Sequence, residues 1–269
     1  VFRSREGTCA ALRVLARNVP PPEEIGFPMD RCWQDIVSLK QGLVIVTGIT
    51  GSGKSTTVAS LLRRRARDRG ERIITLEDPI EYILEGDRAL ISQREMGSHL
   101  PTFSAGLRSA LREDPDVIFV GEVRDPETAS LAITAAETGH LVITTMHTRD
   151  TRGAITRLVD IFPQERTQEI CSQLSFTLQG VIAQKLVPKA NGQGRRPAME
   201  VMRIVSSASH LIRSGKWAQL PAMIETHRKD GCITFDQHLK QLVEDGEVTR
   251  EDALNHANSK TLSSMLGGE

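Results

Sequence analysis

Eight consecutive residues, Gly48-Ile49-Thr50-Gly51-Ser52-Gly53-Lys54-Ser55, fit the pattern of glycine, any four residues, glycine, lysine, then serine or threonine. A loop of this kind needs a strand before it and a helix after it, and both are written here. Leu43 to Thr47 is a short, β-branched apolar run without alternation, the pattern of a parallel strand buried on both faces. Val58, Leu61, Leu62 and Ala66 then recur at helical spacing. The N-terminus of that helix faces the loop, so its partial positive charge adds to the backbone N–H groups that the glycines turn toward an anion. Gly48, Thr50, Gly51, Ser52, Gly53, Lys54, Ser55 and Thr56 are therefore the candidate set for a nucleoside triphosphate. Lys54 is the point charge for the β- and γ-phosphates, and the Ser55 hydroxyl is a candidate Mg²⁺ ligand.

A chain of 269 residues can bury a full core as one large or two modest domains. It opens on Val1 rather than Met, which sets the expectation of a piece of a longer chain whose first residues are the tail of a preceding domain. The 34 basic and 34 acidic residues cancel, and aromatic residues make up 4%. Neither total suggests a general electrostatic grip on nucleic acid or a row of stacking platforms. Cys9, Cys32, Cys171 and Cys232 lie far apart, so neither a zinc site nor a disulfide framework is signalled, and a reducing cytosol is the default. No apolar stretch approaches the roughly 20 residues that cross a bilayer. Membrane contact is then expected through partners.

Strand-like and helix-like runs alternate from about residue 42 to residue 187, which predicts βαβ units and a mainly parallel sheet. Arg72 to Leu76, Val117 to Val120 and Leu141 to Met146 read as further strands. Ser104 to Arg112 reads as a helix, Asp125-Pro126 as the start of another, and Pro163 as the start of a third. Val181 to Val187 and Met199 to Ile204 flank a turn-rich segment and predict a hairpin. From Ser206 the signals are helical, ending in an expected loose tail from Leu262. The fold class is thus α/β, a P-loop core followed by a small all-helical C-terminal domain, with boundaries expected at 1–30, 31–205 and 206–269.

Ligands of open parallel sheets sit at the carboxyl ends of the strands, and those ends carry the polar residues. Glu81, beyond the stiff Glu77-Asp78-Pro79 turn, is the candidate for orienting an attacking water. Glu122 follows Val117 to Gly121 and is the candidate for supporting Mg²⁺ through water. His140 and His147 bracket the last strand; His147 is placed to sense the γ-phosphate, while His140 is expected to bond locally or across a subunit boundary. Arg63, Arg64, Arg65, Arg67 and Arg69 read as a solvated face at the end of the P-loop helix. Arg3, Arg5 and Arg13 precede the core and are candidates for reaching a neighbouring subunit's phosphate.

Taken in order, these motifs resemble those of the type II/IV secretion traffic ATPases, most closely the PilT-like type IV pilus retraction ATPases. The resemblance covers nearly the whole chain. It rests on the P-loop, on Leu76-Glu77-Asp78-Pro79-Ile80-Glu81, on Gln93-Arg94-Glu95, and on Leu107 to Asp116. It continues through Val120-Gly121-Glu122-Val123-Arg124-Asp125 and from Ala135 through His140 to Met146-His147-Thr148.

That resemblance implies a RecA-like core in a homo-hexamer, with ATP and Mg²⁺ at subunit boundaries. It also implies a pilus inner-membrane platform protein as partner and a cytoplasmic place at the inner face of the bacterial inner membrane. Glu81 and Glu122 match the family's two functional glutamates, His140 and His147 its paired histidines, and Arg13 best matches its trans-acting arginines. Those arginines belong to an N-terminal PAS-like domain and its linker, of which residues 1–30 match only the end. The four-cysteine zinc element of extension ATPases has no counterpart here, which favours retraction. The family's retraction element is matched only in its second half, within Ala208-Ser209-His210-Leu211-Ile212-Arg213. An accessory or nucleotide-gated paralogue therefore stays open, and a nucleic-acid translocase is the more distant alternative.

Overall fold

The computed structural model describes residues 2–5, 7–10 and 18–267. A hairpin of β1 (Phe2–Ser4) and β2 (Gly7–Cys9) comes first, then α1 (Pro22–Ile25) and α2 (Asp30–Ser38). The core runs β3 (Gly42–Thr47), α3 (Lys54–Asp68), β4 (Arg72–Glu77), β5 (Leu90–Glu95), α4 (Phe103–Ala110), β6 (Val117–Val120), α5 (Pro126–Glu137) and β7 (Leu141–Met146). It continues with α6 (Thr151–Asp160), α7 (Thr167–Thr177), β8 (Leu178–Pro188) and β9 (Arg195–Arg203). The chain closes with α8 (Ser206–Arg213), α9 (Leu220–Thr226), α10 (Phe235–Glu244), α11 (Arg250–Asn255) and α12 (Thr261–Met265).

Among the described residues, β3 to β9 form one sheet in the order β5-β4-β6-β7-β3-β8-β9. Each neighbouring pair is parallel except β8 with β9, the hairpin closing one edge. Period-two alternation sorts the strand side chains onto two faces. Leu43, Ile45, Leu76, Val120 and Val142 face a layer that includes α4, α5, α6 and α7. Val44, Val46, Ile73, Phe119 and Ile143 face the opposite layer, built on α2 and α3. Both layers are filled, which is why β3 shows no polar alternation: Leu43 to Val46 are each at most 1% exposed.

The helices after Ser206 share the core of the sheet. Ala208, Ile212 and Leu220 join the cluster of α5 and α7. Phe235, Leu239, Leu242 and Ala253 pack on Ala183, Val187 and Ala198 of the β8–β9 hairpin. Leu262 of α12 is fully buried in that same cluster, so the segment expected to be a loose tail is a docked helix. One residue of the arginine-rich end of α3 also departs from the expected solvated face, while Arg67 stays exposed. Arg65 is 2% exposed, forms a bidentate pair with Glu71 at 2.5 and 2.9 Å, and donates to the carbonyls of Val37 and Leu39 at the end of α2. Its charge is tolerated in the core because every face of the guanidinium meets an acceptor.

Candidate nucleotide site

The loop between β3 and α3 is shaped by glycine where nothing else fits. Gly48 has φ +152°, and a Cβ there would lie 2.3 Å from the Gln184 carbonyl and 2.5 Å from Ser52 Oγ. Gly53 has φ +89° and caps α3, so the chain turns into the helix in the left-handed region that side chains disfavour. Gln184, buried on β8, fixes the loop from below: its Nε2 donates to the Ser52 carbonyl at 2.6 Å, and its Oε1 accepts from Thr57 Oγ1 at 2.9 Å. Thr47 is tied to the loop after β7, because Thr148 N donates to Thr47 Oγ1 at 2.9 Å and the two hydroxyls lie 2.8 Å apart.

A cavity of about 530 Å³ opens above this loop at the carboxyl edge of the sheet. The P-loop residues Thr50 to Thr56, the acidic Glu77, Asp78, Glu81 and Glu122, and His147 all line it. Its size and its mix of backbone donors with a few convergent charges suit a nucleotide.

Lys54 is 8% exposed and donates to the carbonyls of Gly48 at 2.8 Å and Ile49 at 3.2 Å. Burial lowers its pKa, and the charges of Glu122 and Glu81 act in the opposite direction. His147 stands between cation and carboxylate: Nδ1 is 3.4 Å from Lys54 Nζ, and Nε2 is 3.6 Å from Glu122 Oε2. One ring nitrogen thus faces the ammonium and the other the carboxylate. Glu77 supports the acidic turn. Burial raises its pKa, while Thr75 Oγ1 at 2.6 Å, Gln93 Nε2 at 2.9 Å and the Glu81 backbone N–H donate to the carboxylate and favour its charge.

Glu81, Glu122, His147, Lys54 and Ser55 are brought together around one cavity. His140 is not among them. It precedes β7 at the opposite edge of the sheet, where Nδ1 bonds the Ala135 carbonyl at 3.0 Å and lies 3.3 Å from Thr138 Oγ1. Arg13 lies outside the described residues. Arg3 belongs to β1 and Arg5 to the turn after it, and both are exposed.

Two participants escaped the sequence reading. Gln184 carried no signal, since a glutamine in an apolar strand reads as an edge position until the strand is seen beneath the P-loop. Arg124, whose Nη2 lies 2.6 Å from Glu122 Oε2, was visible within the Gly121-Glu122-Val123-Arg124 motif, two residues from the glutamate it pairs with.

The donor set fits Mg²⁺. Among the described residues no three His, Cys, Asp or Glu side chains gather to cage a metal by themselves. Mg²⁺ keeps several waters and leans on phosphates, so the hard oxygens of Ser55 and Glu122 lining one cavity suffice.

The chain is 44% identical over 256 residues to the type IV pilus retraction ATPase PilT of Pseudomonas aeruginosa, covering 95% of this chain and 74% of that one. It is 40% identical over 271 residues to the type IV pilus ATPase PilU of the same organism, covering 100% of this chain and 70% of PilU. A crystal structure of the pilus retraction motor PilT with bound ADP superposes with a TM-score of 0.85 at 41% identity, covering 93% of this chain and 70% of that one. No helix among the described residues is long and apolar enough to cross a membrane. The model of the type II/IV secretion system proteins matches residues 4–241, across the same strands and loops that build the cavity, and this chain belongs to that family.

Proposed function

We propose that this chain is the ATP-hydrolysing subunit of a hexameric motor that retracts a type IV pilus. One observation carries the reading: a P-loop lysine, two carboxylates and a histidine converge on a nucleotide-sized cavity, in a chain 44% identical to a retraction ATPase. Backbone N–H groups of Gly51 to Ser55 and the N-terminus of α3 cradle the β- and γ-phosphates, and Lys54 turns its ammonium from the loop carbonyls to the phosphate oxygens. Ser55, and Glu122 through water, would hold Mg²⁺. When bound, that ion neutralises charge on the β- and γ-oxygens. Glu81 orients the attacking water and accepts its proton. His147, poised between Lys54 and Glu122, reports whether a γ-phosphate is present.

Six copies would form the ring, with ATP at each boundary. His140 and Arg13 are assigned to the neighbour's side of such a boundary. Force would pass to an inner-membrane platform protein from the cytoplasmic face, with no nucleic acid involved and membrane contact through partners alone. Residues 1–30, 31–205 and 206–269 would act as the end of a PAS-like domain with its linker, the motor core, and a helical C-terminal domain packed on that core.

Glu81→Gln tests the central assignment. The variant should keep nucleotide affinity and lose turnover by about 10²- to 10⁴-fold, measured as phosphate release. Cells carrying it should still display pili and fail to retract them; turnover near wild type would remove Glu81 from the role. The chain is nearly as similar to a second type IV pilus ATPase of the same organism, PilU, at 40% identity over the whole chain, and an accessory motor subunit is the second reading. Deleting the coding region separates the two, because retraction stops if this is the main motor and persists if it is accessory.

A further inference from the structure

We propose that Arg124 sets how tightly this site holds its divalent cation, by sharing the Glu122 carboxylate with it. The inference rests on the reading that Glu122 supports Mg²⁺. Arg124 Nη2 is 2.6 Å from Glu122 Oε2, the oxygen that His147 also faces, and both residues line the nucleotide cavity. The two partners are held very differently. Glu122 is 21% exposed and follows Gly121, whose N–H donates to the Leu76 carbonyl at 2.7 Å and whose own carbonyl accepts from the Thr145 hydroxyl. A Cβ on Gly121 would lie 3.0 Å from that Leu76 carbonyl, so the backbone beneath Glu122 has no slack. Arg124 is 72% exposed and reaches the carboxylate on a long, solvated stem. The carboxylate is thus the fixed member and the guanidinium the movable one.

Asp78, also at the cavity wall, is a second carboxylate whose charge acts on Arg124. The guanidinium therefore has an acceptor to turn toward when a cation claims Glu122. An exposed pair of this kind is weak, so it can be displaced. While it lasts, it cancels much of the charge that Glu122 offers, whether the cation is touched directly or through water. The arrangement lowers cation affinity in a graded way and makes Arg124 a positioning residue acting through Glu122.

The test uses the full chain with ADP and titrates Mn²⁺ as the probe, reading free Mn²⁺ by electron paramagnetic resonance at low ionic strength. Arg124→Gln should lower the half-saturating Mn²⁺ concentration about threefold to tenfold, from the Glu122 charge released to the cation in largely solvated surroundings. Arg124→Lys keeps the charge and should stay within about twofold of wild type. In a Glu122→Gln background, Arg124→Gln should change the midpoint by less than about twofold. An unchanged or raised midpoint in Arg124→Gln, while Glu122→Gln alone weakens binding, overturns the role of Arg124 and leaves that of Glu122 intact. If Glu122→Gln alone leaves the midpoint where it was, the support of Mg²⁺ by Glu122 fails and this inference fails with it.

Discussion

Gln184→Leu should loosen the P-loop without replacing any residue of the candidate nucleotide-binding set. The side chain is 2% exposed and makes two buried hydrogen bonds, to the Ser52 carbonyl at 2.6 Å and from Thr57 Oγ1 at 2.9 Å. Leucine has similar bulk, so little cavity forms and the cost is polar. Each lost bond removes about 0.5 to 1.5 kcal/mol, and each partner left dry costs about 1 to 3 kcal/mol. The Thr57 hydroxyl has an escape: it can turn back to the Gly53 carbonyl one helical turn earlier, where its own N–H already bonds at 3.0 Å. The Ser52 carbonyl loses the donor that Gln184 supplies. The sum is about 2 to 4 kcal/mol. With a urea dependence of roughly 3 kcal/mol/M, the unfolding midpoint should fall by about 1 M. ADP affinity, followed by titration calorimetry, should drop about tenfold, since about 1.4 kcal/mol of loop order must then be supplied on binding. Stability within about 0.5 kcal/mol of wild type, with ADP affinity unchanged, would refute the claim that β8 holds the loop in shape.

Two further perturbations probe the scaffold. Asp125 caps α5 by accepting from Thr128 N at 2.8 Å and Thr128 Oγ1 at 2.7 Å, so Asp125→Ala should cost about 1 to 2 kcal/mol in urea unfolding, and a neutral result would contradict the cap. His238 is buried, its Nδ1 accepts from Met199 N at 2.9 Å, and desolvation depresses its pKa from 6.5 to about 4. The unfolded chain therefore takes the proton first as pH falls. The stabilisation is whole above about pH 6.5 and is lost progressively toward pH 4, amounting to roughly 3 kcal/mol at most. Unfolding free energies of wild type and His238→Gln should converge across that window; parallel curves would remove His238 from the pH dependence.

What the sequence disclosed, and what it hid, divides along physical lines. β3, β4, β6 and β7 were legible because a strand buried on both faces is apolar or β-branched through its middle, and α5 because Asp125-Pro126 is a cap and a first-turn proline in two letters. β5 was hidden because Leu90 to Glu95 is an edge strand, exposed enough to carry Gln93, Arg94 and Glu95, so its hydrogen bonds to β4 leave no apolar signature. α6 was hidden by Gly153 and β-branched residues near its start, which propensity counts against a helix that Asp150 caps in fact. The burial of Arg65 depends on carbonyls 28 and 26 positions away at the end of α2, a tertiary fact that no local window contains. Arg124 and Gln184 act through partners, and partners are what a linear reading supplies last.

The strand order explains why the candidate site residues meet at all. β4, β6, β7 and β3 are consecutive neighbours in the sheet although their order in the chain is different. At about 4.8 Å per neighbour, their carboxyl ends span roughly 14 Å, a length that suits a row of phosphates and an attacking water. The acidic turn follows β4, Glu122 follows β6, His147 follows β7 and the P-loop follows β3, so the order across the cavity is carboxylate, carboxylate, imidazole, lysine. The 3.6 Å and 3.4 Å spacings from Glu122 to His147 and from His147 to Lys54 are that sheet order expressed in side chains. The same geometry sets His140 apart. It precedes the six residues of β7, which at about 3.3 Å each separate it from the cavity by roughly 20 Å. No rotamer of His140 crosses that distance, so the geometry keeps its side chain from direct contact with a nucleotide in its own chain's cavity.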